Sequence, residues 1–213
     1  MQREQSEQNK SAWEYRAYEH WNVNYGSPEK LGKEIRANPQ QWLRYYSNDL
    51  GDVSGKRIAN LLGSSGIRAV SLAVLGADVT VVDISKENAK YAQKLSNEAE
   101  VDIDYIVSDI FDIPIKAMEN SYDIVFMEFG ILHYISDLDK FAKISFDLLK
   151  NNGELLLRDF HPFNKILDVN QKDRTIIFKG NYFDKDLIEN PVAYESFFSE
   201  KEREQFPKTY LNP

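Results

Sequence analysis

The sequence predicts an α/β protein: a doubly wound, mainly parallel sheet with helices on both faces. Three observations predict it. Short apolar segments alternate with amphipathic ones from Lys56 to Asp159, a small-residue turn follows the first of them, and acidic residues end the next two. "RIANLL" is a strand, Gly66 to Leu75 a helix ended by Gly76, and "DVTVVD" the next strand. Ser85 caps a helix through about Glu98, and "DIDYIV" alternates with period two as a third strand. "YDIVFM" is a fourth, buried by its composition. Asp137 then caps a helix whose stripe runs through Leu138, Phe141, Ala142, Ser145, Leu148 and Leu149, with "KNNG" ending it and "ELLLRD" forming the fifth strand. This order is Rossmann-like.

The flanks read differently. Residues 1–55 are helical in pattern, with aromatics at Trp13, Tyr18, Trp21, Trp42, Tyr45 and Tyr46 between the breaks "NYGSP" and "ANP", and form an N-terminal helical cap on the 56–160 core. Residues 161–213 lose the regularity. "HPFNKIL" suits a helical turn and "RTIIFKGNYF" a strand or hairpin arm, so the segment reads as an irregular C-terminal lid, with the chain stopping before further sheet strands. Five good strands then leave an open sheet edge, which a second copy in a homodimer or a missing segment would cover.

Composition narrows the function. A chain of 213 residues, 42% apolar with 12 Phe and 12 Tyr, can bury one generous core. Net charge −8 repels phosphate backbones and anionic lipid, which argues against nucleic-acid and membrane partners and for a small-molecule substrate. Zero cysteines exclude disulfides, thiolate catalysis and Cys-based zinc sites. The polar N-terminus does not read as a signal peptide and no apolar run approaches transmembrane length, so the expected location is cytoplasmic. No histidine pair has the H-x-x-x-H spacing, and no metal is expected.

In a parallel sheet, ligands bind at the C-terminal strand ends. Leu62 to Gly66 lies at the first, where Gly63 and Gly66 permit close approach of backbone amides. Asp83, ending the next strand and followed by Ile84, can accept both hydroxyls of a ribose. Ser108 and Asp109 end the third strand beside the same cleft. There a carboxylate can accept from an adenine amino group and the Ile110 amide can donate to its ring.

With these residues in place, the chain resembles the class I S-adenosylmethionine-dependent methyltransferases over roughly Lys56 to Asp159. The resemblance rests on "IANLLGSSG", "VTVVDIS", "VSDIFDIP" and "YDIVFMEFGILHYISDL". Family members usually show an acid two positions before the first of three alternating glycines. Asn60, Leu62, Ser64 and Gly66 stand there, so three of the four depart. The resemblance implies S-adenosylmethionine as cofactor, S-adenosylhomocysteine as product, Asp83 on the ribose and Asp109 and Ile110 on the adenine. It puts the Gly63–Gly66 backbone at the methionine portion and Glu128 facing that end and the substrate.

Methyl transfer from a sulfonium needs mainly proximity and alignment. Where a base helps, His133, His161, Glu128 and Asp159 are the candidates near strand ends, and Trp13, Tyr15, Tyr18 or Trp21 can cover the cationic sulfonium. Two rival readings stay open. A nicotinamide-dependent oxidoreductase would share the turn and the ribose acid, although G-x-G-x-x-G and Y-x-x-x-K are absent. A non-catalytic cofactor-binding or interaction protein would account for the eroded glycines.

Overall fold

The structure, a computed structural model, describes residues 2–161, 163–170, 172–178, 181, 183–184 and 186–212. Five helices come first: α1 (Gln2–Glu14), α2 (Ala17–Tyr25), α3 (Pro28–Ala37), α4 (Pro39–Leu43) and α5 (Ser47–Leu50). Prolines at the first turns of α3 and α4 start those helices where a missing N–H costs nothing. The core then alternates: β1 (Arg57–Leu61), α6 (Ile67–Val74), β2 (Asp78–Asp83), α7 (Lys86–Glu98), β3 (Asp104–Val107), α8 (Ile115–Met118), β4 (Tyr122–Glu128), α9 (Leu138–Leu148) and β5 (Leu149–Arg158). Ser85 and Asp137 cap α7 and α9 as expected, accepting from the amides of Asn88 and Lys140.

All five strands are parallel in the order β3-β2-β1-β4-β5. The chain winds outward from β1 through β2 and β3, then restarts on the other side with β4. The switch point between β1 and β4 opens a crevice at their C-terminal ends. Period-two alternation covers both faces. Ile58, Val81, Ile124 and Phe126 pack on one side with Ala69 and Leu72 of α6. Ala59, Leu61, Val125 and Met127 pack on the other with Phe141, Ile144 and Leu148 of α9.

Two expectations change. "KNNG" does not simply end α9, because β5 already begins at Leu149, opposite Tyr122, and bulges before Glu154 pairs with Ile124. Lys150 fastens that bulge through Nζ, 2.8 Å from both Asp123 carboxylate oxygens. The C-terminal segment is also more regular than its sequence suggests. It holds α10 (Phe163–Ile166), an antiparallel pair β6 (Leu167–Val169) and β7 (Ile176–Phe178), then β8 (Ile188–Pro191), α11 (Glu200–Arg203) and β9 (Lys208–Leu211). β8 and β9 pair antiparallel, which the sequence reading missed. Lys179, Gly180 and Tyr182 of the expected hairpin arm lie outside the described residues. Beside β5 no further strand is paired among the described residues, and Leu155 on that edge is half exposed.

The first and last elements meet. Asn9 of α1 donates through Nδ2 to the Tyr210 carbonyl (2.9 Å) and accepts from the Tyr210 amide (2.6 Å), so its amide stands in for a strand neighbour of β9. Gln5 donates to the same carbonyl at 2.9 Å and accepts from Ser136 Oγ at 2.6 Å. Both side chains are buried, as such fully satisfied amides can be. Asn9→Ala strands the Tyr210 amide, while Gln5 keeps the carbonyl paired, and should cost about 1–3 kcal/mol. Thermal denaturation should show a melting temperature lower by roughly 2–12 °C for a chain of this size.

Candidate functional site

One cavity of about 350 Å³ lies at the switch point, on the C-terminal ends of β1, β2 and β4 and the Ser108–Ile110 turn that follows β3. Its floor begins with the loop after β1, whose backbone is left-handed at every second residue: Leu62 (φ 50°), Ser64 (φ 51°) and Gly66 (φ 74°). Those are the three positions of the alternating glycines, so the loop keeps their shape where it lacks the residues. Each non-glycine residue in this region costs about 1 kcal/mol or more. Bonds across the site hold it there. The Ser64 amide donates to Asp83 Oδ2 (3.0 Å), the Tyr105 hydroxyl donates to the Ser64 carbonyl (2.6 Å), and the Gly63 amide donates to the Val82 carbonyl (3.2 Å). Gly63 is needed for a different reason. A Cβ there would sit 2.6 Å from Val81 Cγ1 and 2.7 Å from Asn60 Oδ1.

Asp83 is the hub. Besides Ser64 it accepts from the Ser85 amide (2.9 Å) and from Asn88 Nδ2 (3.1 Å), and Asn88 Oδ1 in turn accepts from Trp21 Nε1 at 2.8 Å. Burial pushes the Asp83 carboxyl above its usual range, and these three donors only partly oppose that shift. Asn60 lies under the loop. Its Nδ2 donates to the Phe126 carbonyl across the switch point (3.2 Å), while its buried Oδ1 has no partner. Glu128 lines the opposite wall, accepting from the Tyr46 hydroxyl and pairing with Arg68 Nε at 2.9 Å. Burial, and then Glu128, raise the Tyr46 hydroxyl far above its ordinary value and keep it a donor. Asp109 accepts from the Phe111 amide at 2.9 Å, which shapes the turn that presents Ile110 to the cavity.

Most of the residues singled out from sequence come together here. Asn60, Leu62, Gly63, Ser64, Asp83, Ile84, Ser108, Asp109, Ile110 and Glu128 all line the cavity, with Trp13 and Trp21 above them. Gly66 does not line it, because it sits behind the loop where a Cβ would meet Ala92 Cβ at 2.5 Å. Tyr18 is also elsewhere. Its ring packs on Tyr91 (5.7 Å) and its hydroxyl accepts from Lys94 Nζ (3.1 Å) on the outer side of α7. Tyr15 leans on Phe206 at 4.8 Å.

Neither expected histidine lines the cavity. The His133 carbonyl accepts from the Asn212 amide at 2.7 Å, while exposed His161 accepts the Phe163 amide at Nδ1 (3.2 Å) and stacks on that ring. Asp159 is committed to structure, accepting from the amides of Gly130 (2.7 Å), Ile131 (3.0 Å), Leu132 (2.7 Å) and Phe160 (2.7 Å). Burial alone would raise its carboxyl, but the four amides outweigh it and the net shift is downward. Lining residues that sequence reasoning missed include Arg68, one turn past the loop, and Gln2, Ser6 and Asn9 on the polar helix α1. Among the described residues, no cluster of histidine, aspartate and glutamate is arranged to hold a metal, and no helix is long and apolar enough to cross a membrane.

A profile of the family described as "Methyltransferase domain" matches residues 62–157, the stretch that builds this floor. An S-adenosylmethionine-dependent methyltransferase structure from Mesorhizobium loti superposes with TM-score 0.58 at 19% identity, covering 72% of this chain and 69% of that one. The chain has the class I S-adenosylmethionine-dependent methyltransferase fold. The same methyltransferase fold appears in a structure from Listeria monocytogenes described as a putative S-adenosylmethionine-dependent methyltransferase (TM-score 0.59, 18% identity, 79% and 76% covered). Among curated proteins, a ubiquinone biosynthesis O-methyltransferase of Xanthomonas euvesicatoria pv. vesicatoria is 30% identical over 115 residues, 54% of this chain and 47% of that protein. A demethylmenaquinone methyltransferase of Renibacterium salmoninarum is 27% identical over 124 residues, 58% and 49% of the two chains. The chain thus matches about half the length of these curated relatives.

Two substitutions test the geometry. Ser64→Gly keeps both backbone bonds of the loop and removes the left-handed strain, so stability should rise by about 0.5–1 kcal/mol in denaturant titration. Asp159→Asn should cost about 1–2 kcal/mol at neutral pH, allowing for solvent at this half-buried carboxylate. Because the native pKa is depressed, that contribution is present above the unfolded value of about 4 and is lost as pH falls through the native one. Melting curves of wild type and variant should therefore converge in acid.

Proposed function

We propose that the chain binds S-adenosylmethionine in this cavity and transfers its methyl group to a small-molecule acceptor. The observation that carries the reading is the unpartnered, buried Asn60 Oδ1 beneath a loop that keeps the left-handed shape of a glycine motif, with Asp83 beside it. A buried acceptor without a donor is costly, and the ammonium of a methionine moiety is a donor of the right charge. Asn60 thus serves where family members usually carry an acid. Asp83 would receive the two ribose hydroxyls, which further offsets the cost of its burial, and Asp109 and the Ile110 amide would take the adenine. Arg68, paired with Glu128 in the cavity wall, would take the carboxylate of the methionine portion.

Trp13 and Trp21 line the roof and can face the sulfonium with their rings. When bound, the cofactor supplies a methyl group already activated as a leaving-group sulfonium. Its methyl carbon would pass to a lone pair of the acceptor as the carbon–sulfur bond breaks, with that bond's electron pair left on sulfur. The chain's part is to align the two and exclude water. The reading extends to a cytoplasmic setting, and the acidic charge of the chain favours a small molecule over nucleic acid as substrate.

Calorimetric titration with S-adenosylhomocysteine should show binding. Asp83→Ala should weaken it at least about 100-fold, the loss of two charged hydrogen bonds worth about 1.5–3 kcal/mol each. Wild type that binds NAD(H) instead, or neither ligand at millimolar concentration, would overturn the reading.

A further inference from the structure

Beyond Glu128 the cavity lining reaches the surface at Phe129, and the residues around this mouth combine aromatic rings with positive charge. Phe129, the first residue after β4, lines the cavity with a left-handed backbone (φ 43°) while 41% of it is exposed. A bulky residue in that region is strained, and a half-exposed ring regains little of the cost by burial. The surrounding structure imposes it. The Phe129 amide donates to the Arg158 carbonyl at 2.7 Å, and the Asp159 carboxylate gathers the next three amides, those of Gly130, Ile131 and Leu132. These bonds fix where the Phe129 side chain is presented.

What it presents is an aromatic rim edged with positive charge. The Phe160 ring, half exposed, lies 5.4 Å from Phe129. The Arg158 guanidinium stands 5.3 Å from the Phe129 ring and 5.6 Å from that of Tyr45, and donates to the Tyr45 carbonyl at 3.2 Å. Arg44 lies 4.7 Å over the same Tyr45 ring and donates to its hydroxyl at 2.9 Å. Both arginines are exposed, and among the described residues neither has a carboxylate partner, whereas Arg16, Arg36, Arg57 and Arg68 all do. The adjacent acids are already answered, Glu128 by Arg68 and Asp159 by its four amides. In a chain of net charge −8, this mouth holds two guanidiniums among aromatic rings with no carboxylate partner among the described residues.

We propose that the mouth is the acceptor subsite and that the acceptor is a planar aromatic carboxylate. The inference rests on the methyl-transfer reading above. The acceptor ring would lie along Phe129 and Phe160, with its carboxylate taken by the Arg158 fork and supported by Arg44. The geometry then delivers the far side of the ring to the chemistry. Arg158 and Glu128 are register partners on adjacent strands, about 4.8 Å apart in the sheet, so an anion at Arg158 borders the wall that Glu128 contributes to the cavity.

The test uses the whole chain saturated with S-adenosylhomocysteine and three probes: 4-hydroxybenzoate, the neutral 4-hydroxybenzamide, and the non-aromatic anion 4-hydroxycyclohexanecarboxylate. In calorimetry or ligand-observed NMR, hydroxybenzoate should bind at least about 10-fold tighter than either of the others. Arg158→Gln should abolish its advantage over the amide while leaving S-adenosylhomocysteine affinity within about twofold, and Arg158→Lys should restore part of it. Phe129→Leu should weaken the two aromatic probes alike and spare the non-aromatic anion. Equal binding of acid and amide, equal binding of the aromatic and non-aromatic anions, or binding of none of the three would overturn the proposal. A chain that binds S-adenosylhomocysteine but shows one of those outcomes fails this proposal alone; one that does not bind S-adenosylhomocysteine fails the methyl-transfer reading itself.

Discussion

The buried carboxylate of Asp83 is the constraint on which the site depends. It receives the Ser64 amide from the loop after β1, the Ser85 amide at the start of α7 and the Asn88 side chain one turn on. Asn88 passes the connection to Trp21, so a single anion fixes a loop, a strand end, a helix start and the N-terminal cap relative to one another. Burying a charge is unfavourable, and the upward shift of this carboxyl records that the donors do not fully compensate. The site is therefore assembled around a group that still gains from further donors, as the proposed ribose hydroxyls would be.

The fold was largely legible because the core's signals are local and mutually consistent. Ser85 and Asp137 are small capping residues before amphipathic runs, and both accept the amide three residues on. Val79 and Val81 pack on one face of the sheet and Val82 on the other, as period two requires. The floor of the site was legible for the same reason: strand ends in a parallel sheet converge on one crevice, so Asp83, Ser108, Asp109 and Glu128 needed only their strands to be placed. The roof was not. Gln5 and Asn9 read as ordinary residues of a polar helix, and only a partner some two hundred positions away makes them buried acceptors and donors. β8 and β9 were hidden for a related reason, since Pro191 and the charged "SEKEREQ" run break any periodic signal and the pairing is made by tertiary context. Tyr18 and Trp21 lie one turn apart on α2, yet only Trp21 faces the cavity, because Tyr91 and the lysines of α7 occupy the space Tyr18 enters.

The loss of glycine from the first turn has a specific structural answer. Leu62 and Ser64 hold the left-handed conformations that glycine would adopt without strain, and the bonds to Asp83 and from Tyr105 keep them there. A motif read as residue types looks eroded; read as backbone angles it is intact. The same is true at the mouth, where Phe129 is held in a left-handed conformation by the Asp159 clamp. Two strained segments thus face each other across one cavity, each stabilised by an aspartate at a strand end.

The clasp between Asn9 and Tyr210 bears on the order in which the site is built. Its partners are 201 residues apart, whereas the floor is made of neighbouring strand–helix units closed by short loops. Closing the longer loop costs more chain entropy, and the contact gives back only two hydrogen bonds and the burial around them. Contact order therefore favours forming the floor before the roof, and ligand that met the floor first would be enclosed as the roof closes over it.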